Sequence, residues 1–221
     1  CLGLIAVSGP ALAQDRLNVV ASFSILGDFV RNVGGDRVNV TTLVGPNSDA
    51  HVYVPTPADA KKVAGAKLVF VNGLGFEGWL SRLVKSAGGK ASVVTTTTGI
   101  APLTLGSEAD PHAWQSVANA KIYVANIRDA LAAVAPADAE AFKSKASAYL
   151  ADLDALEREV REAMAKIPEN RRKVISTHNA FGYFAAAYGV EFIAPLGVST
   201  ESEASARDIA RIITQIRTAK I

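Results

Sequence analysis

From Leu17 onward, short apolar runs alternate with helix-forming stretches, and this alternation constrains the chain more than any other feature. Leu17–Ala21, Val38–Val44, Lys67–Val71 and Ala91–Thr95 each read as a strand. Between them, Ser24–Val33 reads as a helix closed at Gly34-Gly35, where glycine permits a left-handed cap. Thr56, Pro57 and Asp59 carry the signals of a helix start, and a further helix is predicted over Trp79–Ala87. Strands separated by helices lack hairpin connections, so the expected class is α/β, with parallel-type sheets flanked by helices.

The second half repeats this pattern after an interruption. Ser116 is placed to cap a helix whose apolar stripe is Val117, Ala120, Val124, Ile127, Leu131 and Val134. After Pro136 a second helix runs to about Ile167, its stripe spaced from Phe142 through Leu153, Leu156 and Val160 to Ala163 and Ile167, and its other face charged. Some 30 residues at about 1.5 Å each give roughly 45 Å. That exceeds what one compact lobe needs and suits a rigid connector. Strands at Lys173–Thr177 and Val190–Ala194 and a final helix near 203–220 begin a second lobe. The predicted organisation is a residual leader at 1–13, a first lobe at 14–135, a connector at 136–168 and the start of a second lobe at 169–221. Two strands make an incomplete parallel sheet, so further C-terminal residues are expected.

Composition narrows the function classes. The 221 residues are 49% hydrophobic and 20% charged, ordinary for a folded protein, and the net charge of +2 comes from scattered Lys and Arg. Nucleic-acid binding, which needs concentrated positive charge, is not expected. Cys1 to Ser8 is apolar, Gly9-Pro10 follows, and Ala11-Leu12-Ala13 forms a signal-type cleavage site. The apolar stretch is too short to span a bilayer. Cleavage after Ala13 would leave no cysteine, hence no disulfide and no thiolate ligand. A periplasmic location is expected.

Three histidines stand out: His51, His112 and His178, each in a non-periodic stretch just before a helix-forming run. Pro55 and Pro57 stiffen the loop of His51, and Asp110-Pro111-His112-Ala113-Trp114 sets the second beside a bulky aromatic. More than sixty residues separate consecutive histidines, so no local metal motif exists and only the fold could unite them. In open α/β sheets, ligands sit beyond the carboxyl ends of strands, where His178 follows one directly. A shared site in an interlobe crevice and three unrelated loop histidines both remain open on this ground alone. The glycines of Asn72-Gly73-Leu74-Gly75-Phe76-Glu77-Gly78 match no phosphate-loop spacing and read as a tight turn.

The segments Asp49–Pro57, Asp110–Trp114 and Ser176–Phe184 resemble the ligand motifs of the zinc- and manganese-binding solute-binding proteins of bacterial ABC importers. The likeness runs from Leu17 to the end of the chain. It implies that His51, His112 and His178 are metal ligands, that the long helix is an interlobe backbone, and that a fourth, carboxylate ligand lies beyond position 221. Glu201, Glu203 and Asp208 do not match that fourth position. The resemblance further implies a binding protein rather than an enzyme, with a divalent ion as cargo and a membrane permease as partner. A monomer is expected.

Three imidazoles and a carboxylate suit tetrahedral Zn²⁺, whereas Mn²⁺ prefers more oxygen donors; manganese is retained as the alternative cargo. Asp110 and Asn179 are candidates for supporting the ligands from behind, Asp110 equally for a plain turn before proline. Tyr53 and Trp114 are candidates for the cleft wall, with ordinary packing the simpler role. Three histidines and an open position also describe a zinc hydrolase, but no general base stands beside any of the three motifs. Arg is absent from all three segments, against a cleft for organic anions.

Overall fold

The structure is a computed structural model that describes residues 16–219. The leader-like segment, its cleavage site and Cys1 lie outside those residues. In chain order the first lobe contains β1 (Leu17–Phe23), α1 (Ser24–Gly34), β2 (Val38–Val44), α2 (Pro57–Ala64), β3 (Leu68–Val71), α3 (Leu80–Ser86) and β4 (Ser92–Thr95). A hairpin of two-residue strands, β5 (Thr104–Leu105) and β6 (Glu108–Ala109), precedes α4 (Val117–Val134).

The four long strands form one parallel sheet in the order β2-β1-β3-β4. Its two inner strands are the most apolar: all four residues of β3 are buried, as are Val19 to Phe23 of β1. Its edges are wetter, β4 being mostly exposed. This is the pattern expected when helices cover a parallel sheet. Leu26, Val30 and Val33 of α1 and Tyr123, Val124, Ile127 and Leu131 of α4 are buried in the same core. Thr56 accepts the Asp59 N–H while the Asp59 carboxylate accepts the Thr56 N–H, so α2 begins in a reciprocal capping box.

The connector is α5 (Ala139–Ala165), 27 residues, about 40 Å at 1.5 Å per residue. Phe142, Ala146 and Leu153 bury against the first lobe. The predicted stripe does not stay buried beyond them: Leu156 is 44% exposed and Ile167 37%. The distal half leaves the first lobe and meets the second by polar contacts, the Tyr188 hydroxyl donating to Glu157 Oε2 at 2.5 Å and Arg161 lying over the Tyr188 ring. The described part of the second lobe contains β7 (Lys173–Ile175), α6 (Gly182–Tyr188), β8 (Glu191–Ile193) and α7 (Ala206–Ala219), with β7 and β8 paired in parallel.

One buried polar side chain ties the sheet to the loops above it. Asn72, fully buried at the carboxyl end of β3, donates Nδ2–H to the carbonyls of Pro111 (2.8 Å) and Gly73 (3.0 Å) and accepts the Tyr123 hydroxyl. Its backbone N–H donates to Glu77 Oε1 at 2.7 Å, an oxygen that also accepts the Ser22 hydroxyl. Burial pushes the Glu77 carboxyl up, and these donors partly oppose that. Asn72→Ala strands the Tyr123 hydroxyl and the Pro111 carbonyl away from water, so a loss of about 3 kcal/mol is expected. Urea unfolding of the metal-free protein measures it; a loss under about 1 kcal/mol would mean water replaces the amide.

Candidate metal centre

Three loops converge above the carboxyl ends of the strands. His51 lies between β2 and α2, His112 between β6 and α4, and His178 between β7 and α6. Their Nε2 atoms meet: His112 Nε2 is 3.1 Å from that of His51 and 3.2 Å from that of His178. All three ligand atoms lie within 4.8 Å of one another, and among the described residues this is the one such group of side chains. Three corners of a tetrahedron around an ion about 2.0–2.1 Å from each nitrogen would be about 3.3–3.4 Å apart. The two separations from His112 are already close to that spacing.

Each imidazole is fixed from behind. The Asp110 carboxylate takes both the backbone N–H of His112 (2.9 Å) and its ring Nδ1 (2.8 Å) on the same oxygen. A carboxylate only accepts, so Nδ1 carries the proton and Nε2 turns its lone pair on the cluster. Both residues are buried, at 4% and 2% exposure. His51 donates its backbone N–H to Asp49 Oδ1 at 2.9 Å, and the Trp79 indole N–H grips the carbonyl of Ala50 at 2.9 Å. His178 is held by a bridge to Leu196, and the N–H of Asn179 donates to the carbonyls of Gly197 (2.9 Å) and Leu196 (3.3 Å). Asn179 thus supports the third loop through its backbone.

The two aromatic residues singled out from the sequence fall in different places. Trp114 walls the cleft, its ring centroid 5.3 Å from that of His112. Tyr53 instead packs on Trp79 and donates its hydroxyl to Asp59 Oδ2 at 2.8 Å, bracing the His51 loop from below. The wall beside His51 is Phe76, at 4.7 Å between centroids. Phe76 sits within the glycine-rich turn, which the structure shows to be tight, with positive φ at Gly73, Leu74 and Gly75. A large aromatic carried on a turn that glycines hold against a sheet end was the available signal. Asp49 and Thr200 were also missed: the Thr200 hydroxyl donates to Asp49 Oδ2 at 2.6 Å, joining the second lobe to the His51 loop. A cleft of about 380 Å³, lined by Phe23, Phe76, Trp114 and all three histidines, opens onto the cluster.

Electrostatics disfavour the charged forms of His51 and His178. Burial, reinforced by the neighbouring His112, lowers the pKa of His51 to about 4, and burial lowers that of His178 as well. For Asp49, burial acts upward but the Thr200 hydroxyl and the His51 N–H outweigh it, leaving the carboxyl below its ordinary value. The arrangement offers three imidazole nitrogen donors, one carboxylate-backed, in a half-enclosed aromatic setting. That suits a transition-metal dication.

Comparison with known proteins agrees with this chemistry. The family model described as the periplasmic component A of the zinc-uptake complex matches residues 19–221. A manganese-binding lipoprotein, MntA of Halalkalibacterium halodurans, is 38% identical over 211 residues, covering 95% of this chain and 70% of the relative. The manganese ABC transporter substrate-binding lipoprotein PsaA of Streptococcus pneumoniae is 30% identical, covering 99% of this chain and 75% of that protein. Among solved structures, the periplasmic zinc-binding protein TroA of Treponema pallidum superposes with a TM-score of 0.89 at 32% identity, covering 94% of this chain and 76% of that one.

Two outcomes follow from the site's geometry. Asp110→Ala removes the acceptor that holds His112 in its Nδ1–H tautomer, and zinc affinity is expected to fall about 10–100-fold with stoichiometry unchanged, read by chelator competition. The second concerns acid. The folded pKa of His51 is depressed to about 4 from 6.5, so as pH falls below 6.5 the unfolded chain takes up the proton first. The metal-free protein therefore loses stability progressively between pH 6.5 and about 4, a contribution fully present above 6.5. His178, shifted the same way, adds to it. Melting temperatures from pH 7 downward should fall less steeply for His51→Gln than for wild type; parallel curves would contradict the assignment.

Proposed function

The chain belongs to the zinc-uptake component A family, the substrate-binding proteins of metal ABC importers, and we propose that it captures one zinc ion on His51, His112 and His178 and delivers it to a membrane permease. Capture needs no bond making or breaking in the cargo, and the family to which the chain belongs consists of binding components rather than enzymes. The observation that carries the reading is the meeting of three Nε2 atoms from loops far apart in sequence, at ion-binding spacing.

Zinc is favoured over manganese by the donors themselves. Imidazole nitrogens suit zinc, whereas manganese is best served by carboxylate, carbonyl and water oxygens. Manganese is the second reading, supported by the metal named for the MntA and PsaA relatives. A carboxylate or water completes the shell. Asp208 is engaged elsewhere, accepting the Ser205 hydroxyl at 2.5 Å and pairing with Arg211 at 3.3 Å. All three imidazoles come from one chain, so the site needs no second copy and a monomer suffices. The boundaries that fit this reading are lobes at 14–135 and 169–221, with the connector between them. No helix among the described residues is long and apolar enough to cross a membrane. We place the working protein in the periplasm, where a cargo carrier meets its permease.

The purified protein is expected to bind about one zinc per chain, as for a single site with one ion. Replacing His51, His112 and His178 together by Ala should abolish that binding in metal analysis after gel filtration; stoichiometric zinc on the triple variant would end the assignment. Cargo is separated from affinity in cells. Deleting the gene should lower cellular zinc under zinc limitation, whereas a deficit confined to manganese would favour the second reading.

A further inference from the structure

The second lobe bears on the first beside the site as well as through His178. Helix α6 starts at Gly182, shortly after His178 on the same strand-end loop, and its first residues lie against the Asp110 segment. A Cβ placed on Gly182 would stand 2.5 Å from Asp110 Oδ2, a separation real side chains do not adopt. The carboxylate that orients His112 is therefore seated against a position that glycine alone leaves free. The next residue, Tyr183, is 5% exposed and donates its hydroxyl to the Asp110 carbonyl at 2.8 Å. The same hydroxyl accepts the Leu103 N–H at 3.1 Å, and the Asp110 N–H closes the group by donating to the Leu103 carbonyl at 2.8 Å.

We propose that Gly182 and Tyr183 are positioning residues for the His112 ligand, acting across the lobe interface through Asp110. The proposal rests on reading the histidine cluster as the metal site. Asp110 is held on two sides: Oδ1 takes the His112 ring N–H, while Oδ2 and the backbone carbonyl meet α6. His178 and the start of α6 are joined by a short, internally bonded turn, the Ala180 N–H donating to the His178 carbonyl at 2.9 Å. Seating α6 therefore delivers the third imidazole and fixes the tautomer and direction of the second in one movement. Withdrawing it loosens both. Affinity then depends on lobe closure more steeply than loss of one ligand would give, because the lobe that leaves also detunes a ligand that stays.

Gly182→Ala should push the Asp110 carboxylate off its seat and weaken zinc binding about tenfold or more, in the range for loss of a ligand's supporting partner. Tyr183→Phe keeps the ring packed and removes both hydrogen bonds of the hydroxyl, with about a fivefold loss expected. Zinc titration of the purified chain against a competing chelator reads both, and far-UV circular dichroism verifies folding. In an Asp110→Ala background, Gly182→Ala should cause no further loss, since the group it strikes is gone. Nitrogen-15 shifts of the His112 ring in metal-free protein supply a readout that simple packing would not move: mostly Nδ1–H in wild type, mixed tautomers in both variants. Wild-type affinity and an unchanged His112 tautomer in both variants would overturn the proposal, as would an undiminished Gly182→Ala loss on Asp110→Ala. The tautomer measurement needs no metal, so it tests the coupling apart from the site reading, which fails separately if wild type takes up no zinc.

Discussion

Three imidazole nitrogens aimed at one point is an arrangement a protein does not reach by default. With its Nδ1 proton committed to Asp110, His112 can offer only a lone pair from Nε2, and it does so to two other ring nitrogens 3.1 and 3.2 Å away. Two ring N–H groups crowding one lone pair would satisfy neither well. Adding protons to the cluster is also unfavourable, since burial and mutual repulsion hold His51 down to about 4. A dication satisfies all three lone pairs at once. The surrounding fold holds the three rings together in the absence of an ion.

That work is done by short loops pinned at several points. Asp49 and the Trp79 indole hold the His51 loop, Asn72 holds Pro111 just before His112, and Gly197 holds Asn179 just after His178. Each pin is a hydrogen bond from a side chain or strand-end backbone already fixed by the sheet or its turns. Ordering completed on folding is not charged again on binding, so such loops bind more tightly than mobile ones bearing the same ligands. The sheet sets where the loops emerge, because parallel strands all present their carboxyl ends on one side. The central pair β1 and β3 does this most rigidly, ending at Phe23 and at the Val71-Asn72 junction beside the cleft.

Much of this was legible in the sequence, and the failures are informative. The inner strands declared themselves as unbroken apolar runs, and Thr56, Pro57 and Asp59 announced a helix start whose capping box forms in full. The histidines were legible as loop residues because prolines and helix starts flank them. Their meeting was not, since distance across a fold leaves no local trace; motif resemblance supplied it. Periodicity in α5 marked an apolar face but could not say where its partner ended, so Leu156 and Ile167 were expected inside and are exposed. Tyr53 was near a ligand in sequence, but its hydroxyl is taken by Asp59 and its ring packs on Trp79. The β5–β6 hairpin is made of strands two residues long, too short to show any period, and it carries the Asp110–Leu103 closure on which Tyr183 acts.

The same lowered pKa values bear on how the cargo leaves. Proton competition weakens a histidine site only once the pH nears the pKa of the free ligands. Burial and the neighbouring His112 hold that of His51 below its ordinary value, so mild acid competes less for this nitrogen than for a free imidazole. His51 and His112 stand on loops tied into the large buried core of the first lobe, whereas His178 stands on the loop between β7 and α6 of the second. On the proposed coupling, moving the second lobe would withdraw His178 and, through α6, the support behind His112.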